Sequence, residues 1–187
     1  MGKLTKLFTD LEFTGLHKNT TPISIGIVSD SGKKFYAEFN DYDTSQCDDW
    51  INTKVIANLM FNEYLHYSDI DEETNTTYFK HSKDVVKLAL IEWLSQFKNI
   101  EFWVYCGVWD WLLIVDLVME GDTMRNPPKN FTTAQPFDVF TMLKVRGVNP
   151  KEQKHKLLGL ELDNKQHNAL YDAGITKQIY DKYIDMG

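Results

Sequence analysis

The chain is poor in cysteine: among its 187 residues only Cys47 and Cys106 carry thiols. One stands in an acidic, loop-like stretch and the other ends an apolar run. Neither has metal-ligand spacing, so a disulfide framework and a thiolate metal site are excluded, and a reducing, cytoplasmic setting is expected. Long apolar runs are also missing. The longest, over 112–119, is interrupted by Asp116 and is too short to cross a bilayer. No signal-peptide pattern opens the chain, so a soluble protein without a membrane partner is expected. Positive charge is scarce as well. Twenty Lys and Arg against 27 Asp and Glu give a formal net charge of −7, the wrong sign for gripping a long nucleic-acid duplex by its phosphates. An enzyme that holds only a chain end is still allowed, because bound cations can neutralise the local phosphate. Apolar residues make up 43% of the chain, enough for a single domain over 1–187 with a sizeable core.

Residues 4–13 read as a first strand. Residues 22–28 alternate apolar with small side chains and read as a second. After the turn Ser29-Asp30-Ser31-Gly32, residues 33–39 alternate again with Phe35, Ala37 and Phe39 on one face. The short connections predict an antiparallel three-strand meander. Asp48 and Asp49 open a helix expected over 50–60, where negative charge suits the helix dipole. Residues 62–80 are polar, acidic and unpatterned, and read as a surface insertion, either solvated or binding a partner. Ser82 is the expected N-cap of an amphipathic helix with Val86, Leu90, Trp93, Leu94 and Phe97 on one side. A buried strand over 100–106 follows. Strand, helix and strand in this order predict that the sheet continues in parallel with the first strand.

Two carboxylates, Asp10 and Glu12, sit two residues apart in the first strand. Residues i and i+2 of a strand share a face, about 6–7 Å apart. Same-facing carboxylates near the end of a buried strand are costly unless something positive lies between them. A divalent metal meets that need; a solvated strand face is the plain alternative. A helix over 109–119 places Asp110 in its first turn, on the face of Leu113, Ile114 and Leu117. Asp116 lies about 120° away, off that face. Trp111, Val115 and Val118 make the same helix apolar on a second side, so it is either deeply buried or packed on another subunit, as in a homodimer. Residues 121–130 read as a loop, and Asp138 as the N-cap of a short helix. Residues 144–156 carry Lys144, Arg146, Lys151, Lys154 and Lys156 against Glu152 alone. That basic stretch suits either phosphate steering or a solvated surface. Finally, His167 and Asp172 precede and open a helix expected to run to about residue 185. Five residues are about 140° of a helix, so the two converge only if His167 sits in the loop before it.

These residues resemble a known family, the DEDDh or DnaQ-like 3′→5′ exonucleases. The resemblance rests on Phe8-Thr9-Asp10-Leu11-Glu12-Phe13-Thr14-Gly15-Leu16, on Val108-Trp109-Asp110, and on His167-Asn168-Ala169-Leu170-Tyr171-Asp172-Ala173. The last has the H-x(4)-D spacing of the histidine type. Trp109-Asp110-Trp111 opening an apolar helix, and Pro136-Phe137 before a short helix, are similar to the small stand-alone exoribonucleases related to ribonuclease T. One departure is that Cys106 and Gly107 fill positions where many members carry Asn.

The resemblance implies an α/β ribonuclease H-like fold, a mixed five-stranded sheet flanked by helices, with the meander as its antiparallel part. It implies that Asp10, Glu12, Asp110 and Asp172 hold two divalent cations, Mg²⁺ or Mn²⁺, about 3.5–4 Å apart. His167 is implied as general base, since an imidazole with a pKa of about 6.5 suits that role near neutral pH. The expected reaction is metal-dependent hydrolysis of a single-stranded nucleic acid from its 3′ end, with RNA favoured over DNA. Phe13, Thr14, Leu16 and Trp109 are the expected substrate contacts. Phe13 either stacks on a terminal base or packs in the core. The alternatives are a DNA exonuclease and an inactive nuclease fold that binds a partner through 62–80.

Overall fold

In the computed structural model, which describes residues 2–119, 127–161 and 165–185, the chain opens with β1 (Leu4–Phe13), β2 (Pro22–Ser29) and β3 (Lys34–Phe39). They pair antiparallel, as the alternation predicts, with Asp10 opposite Gly26 and Glu12 opposite Ser24. After α1 (Lys83–Ser95), β6 (Asn99–Val104) pairs parallel to β1. Next come α2 (Val108–Val118), β7 (Phe137–Asp138), α3 (Val139–Val145), α4 (Lys154–Leu158) and α5 (Ala169–Tyr183). Part of the loop expected over 121–130, residues 121–126, lies outside the described residues.

Residues 62–80, expected as a polar surface insertion, contain regular structure. They hold β4 (Tyr67–Asp71) and lead into β5 (Thr76–His81), a hairpin that extends the sheet by pairing β5 parallel to β3. Among the described residues the sheet therefore has seven strands, not five, in the order β4-β5-β3-β2-β1-β6-β7. The hairpin's polarity is that of an edge: Ser68, Asp69 and Ile70 of β4 are all exposed. Its turn is built by Asp71, which accepts from the N–H groups of Glu73 and Thr74, and by Asn75 at φ 54°. A second correction concerns 50–60. The regular helix is replaced by one wide turn at Ile51–Val55 and a tight turn at Ile56–Asn58, with Asp48 accepting from the Ile51 N–H at 2.8 Å. Ser82 occupies the cap position of α1, but its side chain does not cap; both oxygens of Asp41 accept from the Lys83 N–H at 3.0 Å.

The alternation of β1 divides the core. Leu7 and Leu11 pack with Ile25, Ile27, Phe35 and residues of α1 and α2 on one face of the sheet. Phe8 packs with Trp103, Val139, Ile175, Ile179 and Tyr180 on the other. Burying Ile175 and Ile179 of α5 contributes about 1.5–3 kcal/mol each. α2 buries Trp111, Leu113, Ile114, Val115, Leu117 and Val118 within its own chain and leaves Val108 and Leu112 exposed. Asp138 caps α3 as expected, accepting from the N–H groups of Phe140 and Thr141. Among the described residues no helix is long and apolar enough to cross a membrane.

Candidate active site

Asp10 and Glu12 share the face of β1 that meets α5. The β1–β6 ladder stops at Phe8 and Trp103, so the two carboxylates stand beyond the end of β6, where that edge of β1 is open. Asp110 enters there from the first turn of α2. Its Oδ1 accepts from the Leu11 N–H at 2.8 Å, which satisfies a strand amide between the two β1 carboxylates and ties α2 to them.

Asp172 comes from the first turn of α5. That helix is capped by Asn168, which accepts from the Tyr171 N–H at 3.1 Å. His167 lies in the preceding loop at φ 63°, and its N–H donates to Asp172 Oδ2 at 2.8 Å. The left-handed backbone turns the chain so that His167 and Asp172 converge, as the loop placement requires. Ligand atoms of Glu12, His167 and Asp172 all lie within 4.8 Å of one another. The whole set opens onto a pocket of about 610 Å³.

Phe13, Thr14 and Leu16 line the pocket. Thr14 is buried, with its hydroxyl accepting from the Thr21 N–H at 2.9 Å and donating to Gln46 at 2.5 Å. It thus anchors the loop after β1. Trp109 is half-buried and is not among the lining residues, and neither are Cys106 and Gly107. Asp116 pairs with Lys83, away from the site.

The family model of the 3'-5' exoribonuclease Rv2179c-like domain matches residues 5–184. The chain belongs to the Rv2179c-like family. Two curated relatives from Mycobacterium tuberculosis, the 3'-5' exoribonuclease Rv2179c and the 3'-5' exoribonuclease MT2234.1, are each 25% identical over 114 residues. The chain spans 60% of the length of these relatives, and the match covers 60% of the chain.

Electrostatics distinguish this site from an ordinary acidic surface. Each carboxylate keeps some surface open to the pocket, but the surrounding protein withdraws most of its water. Burial holds Asp10 well above the usual carboxylate range, with Asp172, Asp110 and Glu12 adding to the shift and Lys154 opposing it. Burial and then Asp172 push Glu12 up to about 8. Burial raises Asp110 to about 6 against the pull of the Leu11 N–H and Lys154.

Lys154, the first residue of α4, lies 3.6 Å from Asp10 Oδ1 and 4.9 Å from the centre of the Tyr105 ring. Burial disfavours its charge, but Asp10, Asp172 and Asp110 outweigh that and raise its pKa. It is the member of the basic stretch that reaches the site, and the periodicity of 144–156 did not single it out. Trp50 also borders the site. Its ring stands edge-on to His167, with centres 4.9 Å apart, and no local pattern links residues so distant in sequence. The carboxylates with a single ammonium at Asp10 leave a surplus of negative charge. The four carboxylates are an all-oxygen donor set that suits hard divalent ions, so the residues fit the expected metal.

Proposed function

We propose that the protein is a divalent-metal-dependent 3′→5′ exoribonuclease of the DEDDh type. The observation that carries this reading is the convergence of Asp10, Glu12, Asp110 and Asp172 with His167 at one pocket. The Rv2179c-like family and the names of the two relatives support the same activity. The strand order β3-β2-β1-β6-β7, with β4 and β5 added beyond β3, supports a ribonuclease H-like core carrying an edge hairpin.

Asp10, Glu12, Asp110 and Asp172 would hold two Mg²⁺ or Mn²⁺ ions. Those ions would supply positive charge at the scissile phosphate and make water there easier to deprotonate. The chain's own residues do the rest. His167 accepts the proton of the attacking water at a ring nitrogen, and its backbone N–H bond to Asp172 fixes where the ring starts. Trp50 bounds the motion of that ring from outside. Phe13 and Leu16 offer apolar surface to a terminal base, a contact tolerant of sequence. The product is a nucleoside monophosphate, and the shortened strand keeps a 3′-hydroxyl.

The test is cleavage of 5′-labelled single-stranded RNA and DNA of matched sequence in Mg²⁺, Mn²⁺ or EDTA. A metal-dependent ladder shortening from the 3′ end of RNA is expected. Equal shortening of DNA changes the substrate class to a general 3′ exonuclease. No cleavage and no metal binding overturns the reading in favour of an inactive binding module.

A further inference from the structure

A second concavity adjoins the catalytic pocket. It has a volume of about 670 Å³ and is lined by Lys34, Lys165, Asn168, Lys177 and Gln178, among others. Tyr171 lines both spaces. Among the described residues no acidic side chain lines this groove, in a protein whose formal net charge is −7. The helix α5 explains the division. Asp172 and Ile175 line the catalytic pocket, while Leu170, Gly174, Lys177 and Gln178 line the groove, with Tyr171 at the border. From Tyr171 to Gln178 is about 10 Å along the helix axis.

We propose that this groove carries the substrate strand on the 5′ side of the cleaved nucleotide. The proposal rests on the exoribonuclease reading above and adds the path of the chain. A 3′-terminal nucleotide in the catalytic pocket leaves the rest of the strand to exit past Tyr171. On the far side, Lys34, Lys165 and Lys177 meet its phosphates, and Gln178 supplies a neutral hydrogen-bonding group that suits sugar or phosphate oxygens without reading sequence. The border is braced. Asn58 Nδ2 donates to the Gln166 carbonyl at 2.9 Å, and Asn168 Nδ2 donates to the Asn58 carbonyl at 3.3 Å. Lys177 donates to Asp181 at 2.5 Å on the exposed flank of α5, a pair that a phosphate can replace at little cost because exposed ion pairs are weak. The charge pattern also separates two tasks. The acidic pocket needs cations before it can take a phosphate, whereas the groove attracts phosphates without them.

The test uses the full chain and the triple variant Lys34→Ala/Lys165→Ala/Lys177→Ala, with a ribodinucleotide and a twelve-nucleotide RNA. The first readout is the ratio of kcat/KM for the twelve-mer to that for the dinucleotide. The second is binding of a 5′-fluorescent twelve-mer in EDTA, followed by anisotropy against salt. Each neutralised phosphate on a single strand contributes about −0.7 to the slope of log K against log salt, so three lysines account for a slope of about −2, or about 20-fold between 50 and 200 mM salt. The variant is expected to lose that slope and to lower the twelve-mer ratio about tenfold through KM, not kcat. A variant with the wild-type slope and ratio overturns the proposal, as does a wild-type protein that binds the twelve-mer no better than the dinucleotide. If the protein cleaves nothing but the slope difference persists, the groove stands and the exonuclease reading falls.

Discussion

Two clusters among the described residues withdraw ionisable groups from water and treat them in opposite ways. Beneath the β4–β5 hairpin, Glu38 is fully buried. Its Oε1 accepts from the Tyr36 hydroxyl at 2.9 Å and from the N–H groups of Met60 and Phe61 at 2.6 and 3.0 Å. Lys80 lies 3.3 Å from Oε2 and donates to the Phe61 carbonyl at 2.7 Å. One carboxylate thus has three donors and a cation of its own, which is how a buried charge is tolerated. At the open end of β1, Asp10, Glu12, Asp110 and Asp172 share Lys154. The first cluster carries its own counter-charge as the chain folds it. The second is incomplete, and what it lacks is positive charge. A site that has to receive a cation and a phosphate cannot be neutralised in advance by the chain alone.

Breaking each cluster should therefore have opposite consequences. Asp10→Ala is expected to abolish RNA cleavage, by at least about a thousandfold or ~4 kcal/mol of transition-state stabilisation. Its melting temperature in EDTA should equal or exceed that of the wild type, because one repelling carboxylate is gone. A melting temperature several degrees lower would mean that the cluster is structural. Lys80→Met strands the buried Glu38 and should cost about 3–5 kcal/mol in urea unfolding, with no recovery on adding Mg²⁺. Lys154→Met should also destabilise the protein in EDTA, and there saturating Mg²⁺ should restore what was lost. Rescue of both variants, or of neither, would remove the distinction between the clusters.

The sequence carries the parts of this contrast that depend on local period. Strand alternation places Asp10 with Glu12, and the helical turn sets Asp110 inward and Asp116 outward. The H-x(4)-D spacing, read as loop plus helix, brings His167 to Asp172. What depends on distant side chains meeting is not in any local pattern. Lys154 is one lysine in a basic run until α4 aims it at Asp10, and Trp50 is an aromatic at an irregular turn until it meets His167. The hairpin escaped for a different reason. An edge strand exposed on both faces has no apolar alternation, so only its turn chemistry and the run Thr76-Thr77-Tyr78-Phe79 mark it.

Gly26 joins the sheet to the incomplete cluster. It lies opposite Asp10 in the β1–β2 register, and a Cβ there would overlap the carbonyl of Ala169 and the amide nitrogen of Leu170. The start of α5 can approach the sheet only because this residue has no side chain. Gly26→Ala should push α5 outward, costing about 1–3 kcal/mol as overpacking does, and should move His167 and Asp172 away from Glu12. Activity should fall more than stability alone explains. A variant that is destabilised but fully active at low temperature would show that the approach serves packing and not the site.

The effect most specific to the incomplete cluster is its pH dependence. In the metal-free protein, Glu12 is held at about 8 and Asp110 at about 6, while in the unfolded chain both release their protons near the ordinary carboxylate values of about 4. Below that range both states are protonated, and the folded state keeps its full advantage. As pH rises from about 4 to 8, the unfolded chain has given up protons that the folded chain still binds, so stability falls with pH. Each group contributes a slope of up to about 1.4 kcal/mol per pH unit within its own window. The fall from Asp110 ends near pH 6 and that from Glu12 near pH 8. Urea unfolding in EDTA across this range should show the decline, and Glu12→Gln should flatten its upper part. Saturating Mg²⁺ should reverse the trend, because cations favour the ionised carboxylates that high pH supplies. A wild-type profile that rises with pH in EDTA would mean that Lys154 already balances the cluster, and the contrast with Glu38 would then be one of degree.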